Sequence, residues 1–161
     1  MIETIKQSLW NQLGASIDML EDSILLCPND EWDTDRKLWY QAFHVLFFTD
    51  YYLSLAPKTF TPPAPFTESE FEDRMPERTY TKTELIKYLS HCRAKAKTLI
   101  ENLTEQTIEA RWVNSSGSMD YAIHEILIYN IRHIQHHVAQ LNLHLRQSIN
   151  DAPEWVFRAE N

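Results

Sequence analysis

Glycine is scarce in this chain, and its scarcity excludes several classes of fold and function. Only Gly14 and Gly117 occur among the 161 residues. Phosphate-binding loops of the dinucleotide-binding and Walker types need several glycines close together, so nucleotide chemistry on those scaffolds is excluded. An all-β fold with many tight turns is disfavoured for the same reason. The sequence therefore favours helices.

Cysteine and long apolar runs are also scarce. Cys27 and Cys92 are the two thiols, and their spacing matches no common metal or redox motif. The first residues show no basic region followed by an apolar region, so no export signal is indicated. The apolar stretch at residues 42–48 is interrupted by His44 and is far shorter than the roughly 20 residues of a membrane span. We therefore expect a soluble, cytoplasmic protein with reduced cysteines.

Positive charge is in deficit. The chain has 15 Lys and Arg against 23 Asp and Glu, a formal net charge of −8. Nucleic acids and anionic membranes attract basic surfaces, so the charge argues against both as partners. A length of 161 residues with 43% hydrophobic residues suits one domain spanning residues 1–161.

Apolar spacing predicts a first and a second helix. Residues 2–26 carry one stripe at spacings of three and four, formed by Ile2, Ile5, Leu9, Leu13, Ile17, Leu20 and Ile24. Pro28 ends this helix because proline cannot continue the hydrogen-bond ladder. The second helix is predicted to begin near Thr34 or Asp35, where several side chains can act as N-caps.

The third and fourth helices are predicted from capping residues and from a further apolar stripe. Thr81 and Glu84 have the spacing of a capping box, which marks the start of the third helix. The fourth helix is predicted at about residues 121–146, with Ser118 or Asp120 as its N-cap. The result is an all-α protein, a four-helix bundle.

A long proline-rich loop connects the second and third helices. Residues 55–81 contain Pro57, Pro62, Pro63, Pro65 and Pro76, a density that no continuous helix tolerates. A solvated crossover is one interpretation of this loop, and a lid or pocket rim is another. After the fourth helix the chain turns at Pro153, and Trp155 is predicted to fold back onto the bundle.

Histidines on two helices are candidate metal ligands. His133 and His137 are four residues apart, so on a helix they lie one turn apart on one face. His136 points away from the apolar side of the same helix and is assigned to solvent. His44 interrupts the apolar segment 43–48 and needs a polar partner there. That partner is either a metal ion or a backbone carbonyl, and the sequence pattern alone leaves both open.

The histidine motifs resemble those of a known family. Residues 39–46, Trp-Tyr-Gln-Ala-Phe-His-Val-Leu, and residues 133–141, His-Ile-Gln-His-His-Val-Ala-Gln-Leu, are similar to the two histidine motifs of the DinB-like family, also called the DinB/YfiT superfamily. Residues 152–156, Ala-Pro-Glu-Trp-Val, resemble its C-terminal segment. Where the family often has Arg-Gly, this chain has Val138 and Ala139, so any role of that arginine is absent here.

The resemblance implies a fold, a metal site and a chemistry. It implies a bundle of DinB/YfiT type in which His44, His133 and His137 hold one divalent ion, such as zinc, nickel or iron. Characterised members include transferases that activate a low-molecular-weight thiol, so the implied partners are a thiol cofactor and a small-molecule substrate beneath the loop. Candidate groups behind the ligands, chosen by helical spacing, are Tyr51, Asn130 and Gln140.

Two other functions stay open. A non-catalytic stress-response or binding protein could use the ion only to stabilise the bundle. A metal-dependent hydrolase would need a nearby carboxylate as general base, and Glu125, two turns before the ligands, is poorly placed for this role. Family analogy also suggests a homodimer, although no heptad pattern specifies one.

Overall fold

The computed structural model describes residues 1–160, in which four long helices form a bundle. The helices are α1 (Ile2–Leu26), α2 (Leu38–Tyr52), α3 (Lys82–Glu101) and α4 (Ile123–Ile149). Helices α1 and α2 each pack against both α3 and α4, so α1 and α2 occupy opposite corners. The prediction of an all-α four-helix bundle is confirmed. Along the described chain, no helix combines the length and apolar character needed to cross a bilayer.

Helix α1 has the predicted bounds and buries the predicted stripe. Its buried apolar residues include Leu9, Leu13, Ile17, Leu20 and Ile24. These side chains meet the inward faces of α3 and α4, and their removal from water is the main driving force for packing the helix. The spacing of the apolar residues was sufficient to predict this helix, because one of its faces is buried and the opposite face is solvated.

Helix α2 begins later than predicted, at Leu38 rather than near Thr34 or Asp35. Asp33 does not cap the helix, because its carboxylate accepts hydrogen bonds from Lys37 Nζ at 2.8 Å and from Trp39 Nε1 at 2.8 Å. The hydrogen bond from Lys37 is the largest of the contributions that lower the pKa of Asp33 to about 2. Lys37 has a positive φ of 50°, and the helix starts directly after it.

Helix α4 also begins later than predicted, because a two-stranded hairpin precedes it. Strand β1 (Arg111–Val113) pairs antiparallel with strand β2 (Asp120–Ala122). The pairing keeps residues 120–122 extended, so the helix starts only at Ile123. The prediction of Ser118 or Asp120 as N-cap was wrong: Ala122 is the N-cap residue and has no side-chain cap.

The loop after α2 covers the outer face of that helix. It contains two short 3-10 helices, Pro57–Thr59 and Ser69–Glu72. Phe66 is buried and stacks on Phe43 of α2, with ring centroids 5.9 Å apart. Helix α2 is therefore buried on most of its circumference, with the bundle on one side and the loop on the other. The loop is a packed layer and not a solvated crossover.

Polar contacts fix α2 between its neighbours. The buried carboxylate of Asp50 accepts a hydrogen bond from Lys95 Nζ at 2.6 Å and another from Tyr88 Oη at 3.1 Å, both on α3. On the opposite side, Asn130 Nδ2 of α4 donates to the backbone carbonyl of Thr49 at 3.1 Å. Because such buried groups are costly to leave unpaired, these contacts restrict sliding of α2 along the bundle.

The C-terminal segment contacts α1 through a small residue. The backbone N–H of Ala159 donates to the carbonyl of Asn11 at 3.0 Å. A Cβ placed on Gly14 would lie 2.5 Å from the Ala159 Cβ, so only glycine permits this approach. Trp155, predicted to fold back onto the bundle, lines a groove with Met19 of α1 and Gln135 of α4, but the residue is 61% exposed and so packs only in part.

The capping box at α3 gives a test of the fold. Thr81 Oγ1 accepts from the Glu84 backbone N–H at 3.2 Å, and the Glu84 carboxylate accepts from the Thr81 N–H at 2.8 Å. We expect Thr81→Ala to lower the free energy of unfolding by about 1 kcal/mol, measured by urea denaturation. Thr83→Ala, also exposed but outside the box, should stay within about 0.5 kcal/mol of wild type. Equal effects of the two changes would contradict this assignment.

Candidate metal centre

Three histidines from two helices meet in the gap between α2 and α4. His44 lies on α2, and His133 and His137 lie one turn apart on α4. Their ring centroids are 5.6 Å apart for His44 and His133, 4.8 Å for His44 and His137, and 4.8 Å for His133 and His137. One nitrogen from each ring lies within 4.8 Å of the other two. The sequence-predicted ligands are thus brought together by the fold.

Two of the rings are held by hydrogen bonds at Nδ1. His44 Nδ1 lies 2.5 Å from Glu70 Oε2, and His137 Nδ1 lies 2.9 Å from Gln140 Oε1. Carboxylate and amide oxygens only accept, so Nδ1 carries the proton in both rings. In the neutral form of each ring, the Nε2 atom then keeps a lone pair. Two histidines are consequently in the tautomer that can bind a metal through Nε2.

His133 is the most deeply buried of the three rings. Burial, followed by the nearby His137 and His44, lowers the pKa of His133 from 6.5 to about 3. Burial likewise lowers the pKa of His137. Both rings are therefore neutral at physiological pH, the form in which imidazole binds metal ions. His133 Nδ1 is buried and has no hydrogen-bond partner among residues 1–160.

Aromatic side chains and a small cavity border the site. Phe48 lies with its ring centroid 4.9 Å from that of His44, and the Tyr52 centroid is 5.6 Å from that of His133. A cavity of about 300 Å³ adjoins His133 and is also lined by Tyr129, Arg132 and His136. Two cavities of about 400 Å³ lie elsewhere and have no histidine in their walls. The cluster of three imidazole nitrogens, and not the volume of a cavity, identifies the candidate site.

The other residues proposed from helical spacing have different positions. Gln140 contacts His137 directly and also accepts from Gln41 Nε2 of α2 at 2.7 Å, so it bridges the two helices beside the site. Asn130 forms a hydrogen bond to the α2 backbone instead of to a histidine. The Tyr51 ring packs against aromatic rings, with centroids 5.0 Å from Phe71 and 5.2 Å from Trp112.

Sequence reasoning missed Glu70. This residue lies in the proline-rich loop, and its carboxylate reaches His44 from outside the bundle. Glu68 and Glu72 flank it at spacings of two, and nothing in the sequence distinguishes the three. The contact depends on how a loop of nearly thirty residues folds over α2, which no local pattern predicts.

The two cysteines have no part in this site. Both thiols are buried, and within residues 1–160 the cluster of possible ligands contains histidines alone. Burial raises the pKa of the Cys27 thiol to about 11 and also raises that of Cys92. Both thiols stay protonated near neutral pH, which suits structural rather than reactive cysteines.

Comparison with protein-family models shows to which family the chain belongs. The model of the DinB superfamily matches residues 12–141, a segment that includes all three histidines. The chain belongs to the DinB superfamily. A search of curated proteins found no match to this DinB protein.

The donor set of this DinB protein fits a divalent metal ion. Neutral imidazole nitrogens bind zinc and similar ions at about 2.0 to 2.1 Å, so in a tetrahedral site two nitrogens on one ion lie about 3.3 to 3.4 Å apart. The three nitrogens lie within 4.8 Å of one another, so side-chain rotations that bring them closer by up to about 1.5 Å are needed. The buried His133 Nδ1, which has no partner within the described chain, shows that the protein does not satisfy the polar atoms of the site by itself.

The low pKa of His133 predicts how the metal-free DinB protein responds to acid. In the unfolded chain the ring takes up a proton near its usual pKa of 6.5, whereas in the folded protein it does so only near 3. The unfolded state therefore binds more protons in this window, and stability falls as the pH is lowered from about 6.5. From His133 alone, we expect the free energy of unfolding to fall by roughly 1–2 kcal/mol by about pH 5.

Chemical denaturation in the presence of a chelator measures this loss. His133→Gln removes the titrating ring and should flatten the pH dependence. His136→Gln changes an exposed ring on the same helix and should leave the dependence as in wild type. If the free energy of unfolding of His133→Gln falls with pH as steeply as that of wild type, protonation of this ring is not the cause of the loss of stability in acid.

Proposed function

We propose that this protein binds one divalent metal ion through His44, His133 and His137. The observation that supports the proposal is the meeting of three imidazoles from two separate helices, with one nitrogen of each within 4.8 Å of the others. Hydrogen bonds at Nδ1 hold His44 and His137 in the tautomer that leaves Nε2 free. Preformed donors on rigid helices lower the entropic cost of binding an ion.

We further propose that the site acts in a transferase that activates a low-molecular-weight thiol. Three protein nitrogens leave a coordination position open, which is typical of catalytic rather than closed structural sites. A bound divalent ion would supply the positive charge that stabilises a thiolate near neutral pH. The His44 side chain is 30% exposed, so small molecules can reach the site from solvent.

Residues beside the site fit a small anionic substrate or cofactor. The cavity next to His133 is lined by Arg132, and the guanidinium carbon of Arg132 lies 5.2 Å from the Tyr129 ring centroid. Stacking on an aromatic ring restrains a guanidinium while leaving its N–H groups available. In our proposal Arg132 pairs with a carboxylate of the thiol or of its acceptor, and Phe48 and Tyr52 exclude water from the reacting atoms.

A non-catalytic role is the second candidate. The three histidines join α2 to α4, so an ion bound there would cross-link two helices of the bundle and stabilise the folded state. The hydrolase alternative has less support. The Glu70 carboxylate is already bound to His44 and is 4% exposed, and Glu125 lies at the surface away from the three rings.

Metal binding is the direct test of the proposed site. We expect wild-type protein to retain one equivalent of zinc after dialysis, measured by elemental analysis. His44→Ala, His133→Ala and His137→Ala should each weaken zinc binding by more than the roughly 10- to 100-fold that is lost with an outer contact to a ligand. His136→Ala is the matched control, because its exposed ring is only 5.0 Å from His137 yet lies outside the cluster.

Competition with a chromophoric chelator gives the affinities, and circular dichroism checks that each variant is folded. Wild-type affinity in all three single variants would refute the site. An equal loss of zinc affinity in the His136→Ala control and in the three variants would also refute the site.

A thiol-transfer assay separates the enzyme from the structural alternative. The zinc-loaded protein is mixed with glutathione or cysteine and a chromogenic aryl halide, and formation of the carbon–sulfur bond is followed with release of halide and a proton. We expect zinc-dependent turnover that is lost in His44→Ala, and a metal-free protein that remains folded. No turnover, together with unfolding on metal removal, would instead favour the structural role.

A further inference from the structure

Glu70 is a buried acid whose surroundings contain little positive charge. Its side chain is 4% exposed, and among residues 1–160 the basic side chain that contacts it is His44, whose ring carries a charge only when it is protonated. One carboxylate oxygen, Oε2, lies 2.5 Å from His44 Nδ1, while the other, Oε1, is buried without a hydrogen-bond partner in the described chain. A carboxylate removed from water in this way is costly unless a positive charge lies nearby.

Apart from His44, the neighbouring side chains of Tyr40 and Phe71 do not supply that charge. Burial of Tyr40, followed by the negative charge of Glu70 and a contact between the Tyr40 hydroxyl and that carboxylate, raises the pKa of Tyr40 to about 12, so Tyr40 offers a hydroxyl but no positive charge. The adjacent Phe71 packs against Phe47 and Tyr51, with ring centroids 4.9 Å and 5.0 Å away. The carboxylate therefore lies at the Nδ1 edge of the His44 ring, and the ring centroids of His133 and His137 lie 5.6 Å and 4.8 Å from that of His44.

We propose that Glu70 is a positioning residue for the metal centre, an inference that rests on the proposed metal-binding function. By accepting the Nδ1 proton of His44, Glu70 fixes the ring orientation and directs Nε2 toward His133 and His137. Its negative charge makes the ring a better donor and balances part of the charge of a divalent ion. The ion in turn compensates for the buried carboxylate.

Glu70 acts through His44 and is not a fourth ligand. Within residues 1–160, the histidine, cysteine and acidic groups that share a common centre are His44, His133 and His137, without Glu70. The fourth coordination position consequently stays open to a small molecule. Because Glu70 belongs to the proline-rich loop, metal affinity and docking of this loop are coupled, and each strengthens the other.

Glu70→Gln tests the inference, because it keeps the shape of the side chain and removes its charge. We expect zinc affinity, measured by chelator competition, to fall about 10-fold or more at an unchanged stoichiometry of one. The visible spectrum of the cobalt-loaded protein should also change, since the orientation of a ligand ring changes. The metal-free variant should be at least as stable to urea as metal-free wild type, because the buried charge is gone.

Glu68→Gln is the matched control, with the same chemical change at an exposed position two residues away. It should bind zinc as wild type does. If wild type binds one equivalent and Glu70→Gln binds within twofold of it, the role of Glu70 is overturned while the proposed site stands. If the metal-free Glu70→Gln protein is clearly destabilised, Glu70 is a fold-stabilising residue and the inference also fails. If wild type binds no zinc, the proposed function fails and this inference fails with it.

Discussion

The packing of α2 against α4 is the constraint on which the site depends. His44 stands on one helix and the His133–His137 pair on the other, so a shift of one helical turn between the helices, about 5.4 Å, would separate the rings. The hydrogen bond from Asn130 to the α2 backbone and the bridge between Gln41 and Gln140 lie on either side of the histidines and oppose such a shift. Side chains outside the histidine cluster thus determine whether the three rings meet.

The loop between α2 and α3 adds a second layer to this arrangement. Its aromatic side chains cover α2, which explains why a helix in a small bundle is buried on most of its surface. The same loop places Glu70 against His44. The site therefore combines His133 and His137, whose pKa values burial lowers, with one buried carboxylate, and a positive charge at the centre of the three rings would offset the cost of burying that carboxylate.

Local patterns predicted some parts of the protein and not others. The stripe of α1 and the capping box at Thr81 depend on residues within a few positions, and both were confirmed. The facing of His133 and His137 followed from helical geometry, whereas the place of His44 beside them followed from family resemblance, since no spacing rule connects α2 to α4. The start of α2 depends partly on a long-range contact, since Asp33 also accepts a hydrogen bond from Thr79 Oγ1 at 2.6 Å. The contact between Glu70 and His44 likewise joins residues far apart in the sequence.

X-ray absorption spectroscopy of the zinc-loaded protein shows whether three imidazoles share one ion. We expect a zinc spectrum with three imidazole nitrogens at about 2.0 to 2.1 Å, one further light-atom ligand and no sulfur from the protein. A spectrum with fewer than three imidazoles, or with cysteine sulfur at about 2.3 Å, would exclude a site formed by His44, His133 and His137 together.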